Sequence, residues 1–188
     1  MEYDGDVITV LTTDHREVEQ MFTELESLRG TDDEDRRRDL TEKVIIELVR
    51  HSVAEEAFLY PAARKFLPEG DTLADREIAE HAENERLMKE LERTETSDPA
   101  FDHLLDKLIA ATRKHIREEE RELFPQLVKY AEAEDLHSVG KKIRAIKKIA
   151  PTRPHPATPH NPLASKILAP GTGLVDRVRD LVTGRGRD

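Results

Sequence analysis

Two stretches of this sequence pair an imidazole with a carboxylate four residues away, and they are copies of one another. His51–Ser–Val–Ala–Glu55–Glu56–Ala–Phe–Leu59–Tyr60–Pro61 returns as His115–Ile–Arg–Glu–Glu119–Glu120–Arg–Glu–Leu123–Phe124–Pro125, at an offset of 64 residues. Residues four apart on a helix face the same way, so each copy presents one nitrogen donor and one oxygen donor together. Supplied twice inside a helical bundle, that is the donor set of a two-metal site. A shorter repeat accompanies it: Asp14–His15–Arg–Glu–Val–Glu19, leading to Leu25, aligns with Glu80–His81–Ala–Glu–Asn–Glu85, leading to Leu91, at an offset of 66. The chain therefore reads as two helical hairpins, each with a lone-His helix and a His-xxx-Glu helix.

The elements that must position these residues are helices. The spacing predicts a first helix from about 7 to 28, ending at Gly30, and a second from about 35 to 66, ending at Pro68–Glu69–Gly70. A third is expected from about 71 to 94 and a fourth from about 99 to 131, with a short basic helix over about 135–149. Pro61 and Pro125 fall late in the second and fourth, where a kink or a restart is expected. Two such hairpins pack as an all-α, up-down-up-down four-helix bundle of approximate two-fold symmetry. From Pro151 onward, Pro151, Pro154, Pro156, Pro159, Pro162 and Pro170 mark an extended tail. Within that tail Leu174–Leu181 has the pattern of a short terminal helix. The expected division is a bundle domain over 1–150, with its core at about 5–131, and a Pro-rich tail over 151–188.

Each His and Glu of the repeat lies on an apolar stripe. The first helix reads Leu11, His15, Val18, Phe22, Leu25, and the second Val44, Leu48, His51, Glu55, Phe58. The third reads Ala74, Ile78, His81, Glu85, Met88, and the fourth Leu105, Leu108, Thr112, His115, Glu119, Leu123. Unpartnered imidazoles and carboxylates there cost several kcal/mol each, about as much as any core substitution. Bound metal would satisfy all six groups together. Glu56, Glu118 and Glu120 read instead as solvated. His103, 12 residues before His115, falls about 120° away around the helix and is assigned no role, as are His137, His155 and His160.

Composition narrows the classes. The chain has 188 residues, a formal net charge of -10 and no cysteine, which removes disulfides, thiolate catalysis and iron–sulfur ligation. Residues 1–140 carry 19 Lys/Arg against 37 Asp/Glu, and the remainder 11 against 3. So acidic a body argues against nucleic acid as a partner. No apolar run reaches membrane-spanning length and Met1–Glu2–Tyr3–Asp4 is unlike a signal peptide, so no membrane partner and a cytoplasmic location are expected.

The order His15, His51-xxx-Glu55, His81, His115-xxx-Glu119 resembles the hemerythrin-like family, the HHE cation-binding domain, over residues 5 to about 131. The resemblance implies a four-helix bundle around a non-haem centre of two iron ions, oxo- or hydroxo-bridged. Glu55 and Glu119 would bridge the irons, His15 and His51 would serve one, and His81 and His115 the other. The mixed nitrogen and oxygen donors suit iron over manganese or zinc. The Glu-xx-His spacing of ferritin-like sites occurs only at Glu134/His137, outside the bundle.

Oxygen-carrying hemerythrins place a fifth histidine where this chain has Glu85, whose repeat mate is Glu19. Either carboxylate is a candidate additional ligand, or a hydrogen-bond partner of a ligand; a ligating Glu85 would favour Fe(III) over reversible oxygen carriage. The resulting expectation is a metal-ion-binding protein that binds or senses dioxygen, peroxide or nitric oxide in the response to oxidative or nitrosative stress. One alternative is a catalase- or peroxidase-like di-iron enzyme. Another is a metal-dependent regulatory module acting through its tail.

Overall fold

The computed structural model describes residues 5–156 and Asp176. Its elements are all helical: α1 (Val7–Ser27), α2 (Glu34–Ala54), α3 (Tyr60–Phe66), α4 (Gly70–Arg93), α5 (Pro99–Glu118), α6 (Phe124–Tyr130) and α7 (Ala133–Lys147). Side chains cap three starts: Asp6 accepts from Thr9 N at 2.8 Å, Asp33 from Arg36 N at 3.2 Å, and Asp98 from Ala100 N at 2.8 Å. Gly30, at φ 72, takes the left-handed conformation in the turn after α1. The helix pairs α1/α2 and α4/α5 form the two hairpins, and α3 packs back on α4.

The two prolines act through π-helical turns. Between α2 and α3 lies Glu55–Leu59, and between α5 and α6 lies Glu119–Leu123. Tyr60 N–H bonds Glu55 O, and Phe124 N–H bonds Glu119 O, one residue further back than in an α-helix. In an α-helix the ring of Pro61 or Pro125 would collide with the carbonyl four residues earlier, and the wider turn relieves this. Each expected kink or restart is thus a single π turn, and each begins at a glutamate of the repeat.

The short basic helix expected over 135–149 is α7, and it belongs to the bundle. Leu136, Val139, Ile143 and Ile146 are buried with Val7, Val10 and Leu11 of α1 and with Leu59 and Tyr60. At Gly140 a Cβ would lie 2.8 Å from Asp6 C and from Val7 N, so glycine permits the backbones to touch. Arg144 Nη1 donates to Gly5 O at 2.7 Å, and Lys147 pairs with Asp14 at 2.7 Å. A second apolar cluster, around Phe22, Leu48, Met88, Leu91 and Leu105, fills the opposite end of the bundle. The histidines lie between these two clusters.

On α4 the buried stripe differs by one position from the expected one. It runs Ala74, Glu77, His81, Asn84, Met88, Leu91, while Ile78 and Glu85 are only partly buried. Both series advance by threes and fours, and the polar identities of Glu77 and Asn84 concealed the true one. The tail's terminal helix over Leu174–Leu181 falls outside the described residues except for Asp176, which is helical and buried. Among the described residues no helix is long and apolar enough to cross a membrane.

Candidate metal centre

The four histidines and two glutamates of the repeat meet in the middle of the bundle, each at most 5% exposed. One group comprises His15, His51, Glu55 and Glu119, and a second comprises Glu55, His81 and His115, each with ligand atoms within 4.8 Å of one another. Glu55 stands between them: Oε1 is 2.9 Å from His51 Nε2, and Oε2 is 3.3 Å from His81 Nε2 and 3.9 Å from His115 Nε2. Glu119 Oε2 spans likewise, 3.4 Å from His15 Nε2 and 3.8 Å from His115 Nε2.

Every imidazole turns its Nδ1 outward onto a carboxylate. His15 Nδ1 lies 2.9 Å from Glu120, His51 Nδ1 3.3 Å from Asp14, and His81 Nδ1 3.2 Å from Glu56. His115 Nδ1 lies 2.9 Å from Glu77 and 3.6 Å from Glu80. An ionised carboxylate only accepts, so Nδ1 carries hydrogen, and a neutral ring then keeps its Nε2 lone pair for the centre. These partners orient the rings and raise their basicity as ligands.

Glu56 is therefore not a solvated residue of a wet face, whereas Glu120 is exposed as expected and still reaches a site histidine. Glu56 is 4% exposed and Glu120 40%, and both hold ligand-side histidines. An α-helical projection misplaces Glu56 because the π turn, with more residues per turn, lets neighbouring side chains diverge less. Glu118 stays at the surface with Lys114, 3.0 Å away. The signal was available: Glu55–Glu56 and Glu119–Glu120 recur at one offset, Asp14 and Glu80 at the other. Glu77 has no such mate, because its counterpart is Leu11.

Tyr60 was also missed. Its hydroxyl donates to Glu119 Oε1 at 3.2 Å and lies 3.1 Å from His81 Nε2. Burial, with Glu119 and Glu55 adding to it, holds the phenol well above its usual range, so it keeps its proton. Its repeat mate is Phe124, stacked on His15 at 5.8 Å between ring centroids. The two halves of the centre are thus not equivalent.

Glu85 and Glu19 lie outside the cluster. Glu85 Oε1 accepts from His155 N at 2.7 Å, and Glu19 pairs with Arg113 at 2.6 Å. Glu85 faces the segment after α7 because the α4 stripe passes through Asn84. His103 and His137 are exposed; His155 pairs with Asp176 at 3.0 Å, and His160 lies outside the described residues.

Electrostatics show what the cluster wants. Burial works against a charged His51, yet Glu55 and Asp14 hold its pKa up to about 9. Burial likewise opposes His81, which Glu55 and Glu56 lift to about 8. His115, beside Glu119, Glu55 and Glu77, is raised well above its usual value against the same desolvation. Burial would raise Glu55, but His51, His115 and His81 hold it well below the carboxylate range. Hydrogen bonding to His115 first, and to Lys114, lowers Glu80 to about 2. Without metal, protons supply the positive charge that this acidic pocket demands.

The donor set passes a direct test for a cation. His15 Nε2, His51 Nε2, both oxygens of Glu55 and Glu119 Oε2 are buried with no hydrogen-bond partner. Such groups are rare in folded proteins, and here they converge on one another.

A helical bundle with four histidines and two glutamates gathered in its core is a metal-binding bundle. The chain belongs to the hemerythrin HHE cation binding domain family, whose model matches residues 6–127. It is 28% identical over 170 residues to a hemerythrin-like protein of Schizosaccharomyces pombe, covering 90% of this chain and 82% of that one. It is 30% identical over 146 residues to a DNA nickase of Nostoc, covering 77% of this chain but 40% of the nickase. A hemerythrin HHE cation binding domain-containing protein from Mycobacterium kansasii shares the fold, with a TM-score of 0.65 and 22% identity, over 76% of this chain and 85% of that one.

Proposed function

We propose that this protein is a non-haem di-iron protein that binds or senses a small oxidant: dioxygen, peroxide or nitric oxide. The observation that carries the reading is the gathering of four buried His Nε2 around Glu55 and Glu119 in two adjoining groups, with the Nε2 of His15 and His51, both oxygens of Glu55 and Glu119 Oε2 left unpartnered. His15 and His51 would hold one ion and His81 and His115 the other, with Glu55 and Glu119 shared. A bound iron pair supplies the redox chemistry toward such ligands. Asp14, Glu56, Glu77 and Glu120 fix the rings and add negative charge around the pair, which favours the higher oxidation state. The role once open to Glu85 as a ligand passes to this outer ring of carboxylates. Tyr60 keeps a proton at Oη within reach of the centre.

Metal analysis with the ultraviolet–visible spectrum of the purified protein tests this. About two irons per chain, with the charge-transfer absorption of a bridged ferric pair, is the expected result. Substoichiometric zinc without such absorption refutes it.

A second reading, regulation through the segment after α7, is favoured by one observation. Asp176 accepts from Thr152 N and Arg153 N, each at 3.1 Å, while His155 N–H bonds Glu85 on α4, one turn beyond His81. Unchanged proteolytic protection of this segment in reduced, oxidised and metal-free protein refutes it.

A further inference from the structure

A cavity opens beside the centre, against His15, His51, His81 and His115, and its two sides differ at one pair of positions each. It offers about 10 Å³ to the centre of a water-sized molecule, enough for one water or a ligand of about two heavy atoms. One helical turn from the histidines the first hairpin supplies Val18 and Leu48 to its lining and the second Asn84 and Thr112, with Asp14, Ser52, Met88 and Ile116 completing it. These residues are repeat mates: Val18 corresponds to Asn84 at the offset of 66, and Leu48 to Thr112 at the offset of 64. At these mated positions the duplication has thus kept one side apolar and made the other polar.

The polar wall has no partners of its own. Asn84 is 7% exposed and Thr112 2%, and Asn84 Oδ1 and Thr112 Oγ1 make no hydrogen bond. Thr112 is unusual among the helical threonines. Thr41, the other buried helical threonine among the described residues, bonds the carbonyl four residues back, as do Thr13 and Thr23, a common habit of mid-helix threonines. Asn84 also lines an open cleft of about 430 Å³ between α4 and α5, so it stands between the cavity and the surface.

We propose that Asn84 and Thr112 form a hydrogen-bonding half-site that selects a small ligand able both to donate and to accept, of the hydrogen peroxide class. The carboxamide oxygen accepts and the hydroxyl donates. Dioxygen and nitric oxide, which carry no hydrogen, satisfy only the hydroxyl. The half-site lies at the His81/His115 end, so ligand enters one side of the pair through the cleft beside Asn84. These are positioning residues, and the inference rests on the di-iron reading.

The test uses the full chain loaded with Fe(II), with hydrogen peroxide in stopped flow and nitric oxide in anaerobic titration, both followed by absorbance. Thr112→Val and Asn84→Leu should each slow the peroxide reaction about tenfold, the effect of one lost hydrogen bond. Nitric oxide affinity should stay within about twofold in Asn84→Leu, and iron content should not change in either variant. Thr112→Ser should restore the peroxide rate. The metal-free variants should melt higher than wild type, because an unpartnered buried polar group has been replaced by an apolar one. An unchanged peroxide rate overturns the half-site, and equal losses for both probes in Asn84→Leu overturn its selectivity. Lower melting of the metal-free variants with an unchanged rate marks a structural role and overturns it as well. Wild-type protein that takes up iron yet reacts with neither probe refutes the small-ligand reading itself, and this inference falls with it.

Discussion

Raising the pH from 6.5 toward 9 should tighten metal binding and weaken the metal-free fold. At pH 7 the rings of His51, His81 and His115 are held protonated by the carboxylates around them, His51 up to about 9 and His81 up to about 8. Metal needs the neutral rings, so filling both positions expels about three protons. Each expelled proton raises the apparent binding constant about tenfold per pH unit, or roughly a thousandfold for three. That slope should slacken above pH 8, as His81 becomes neutral, and again above pH 9 with His51. Stability of the metal-free protein runs the other way. A histidine whose folded pKa is raised contributes stability fully below 6.5 and loses it as pH rises through the folded value. For His51, with a pKa raised to about 9, the loss is of order 3 kcal/mol. Calorimetric titration with Mn(II) or Fe(II), in buffers of different ionisation enthalpy, counts the protons. Urea unfolding of the metal-free protein between pH 6 and 10 gives the second curve. Fewer than one proton released at pH 7, or a metal-free protein that gains stability from pH 7 to 9, refutes the reasoning.

Other predictions follow from particular contacts. Glu56→Ala removes the carboxylate 3.2 Å from His81 Nδ1 and should weaken metal binding about 10–100-fold; chelator competition measures it, and unchanged affinity sinks the idea that Glu56 orients that ring. Glu85→Ala should leave metal content untouched while exposing the chain around His155 to protease, since Glu85 accepts from His155 N; lost metal would return Glu85 to the ligand set. Gly140→Ala sets a Cβ 2.8 Å from the α1 backbone and should cost of order 1–3 kcal/mol, visible as a lower denaturation midpoint. On the acid side, Glu55 is held well below 4.5. Its contribution is present above that value and lost as pH falls through the depressed one, so Glu55→Gln should flatten the acid limb of the metal-free stability curve.

Much of the centre was legible because a repeat states its own geometry. His15, His51, Glu55, His81, His115 and Glu119 fall on apolar stripes in α-helical register, and the bundle brings all six together. Legibility failed where that register failed. Glu56, read as solvated, is buried in a π turn that an α-helical projection cannot anticipate. On α4 the buried positions Glu77 and Asn84 are polar, so the eye follows Ile78 and Glu85 instead, and Glu85 becomes a candidate ligand. The outer carboxylates had a signature of their own in the repeated Glu55–Glu56 and Glu119–Glu120 pairs. Tyr60 had none, because its mate is Phe124 and the tyrosine side of the centre is where the halves diverge. α7 read as an appendage because its docking surface, Val7 and Val10 with the glycine contact at Gly140, lies far away in sequence.

That docking gives the molecule an order of assembly. The start of α1 is closed by the last described helix, through Gly140 against Asp6 and Val7, Arg144 on Gly5 and Lys147 on Asp14. Asp14 in turn holds His51. On the ribosome the first hairpin emerges well before α7, with Val7, Val10 and Leu11 still uncovered and Asp14 lacking its lysine. Contacts of such long sequence separation form late. A nascent chain therefore displays its histidines before they are locked into position, and metal captured at that stage would staple an unfinished bundle.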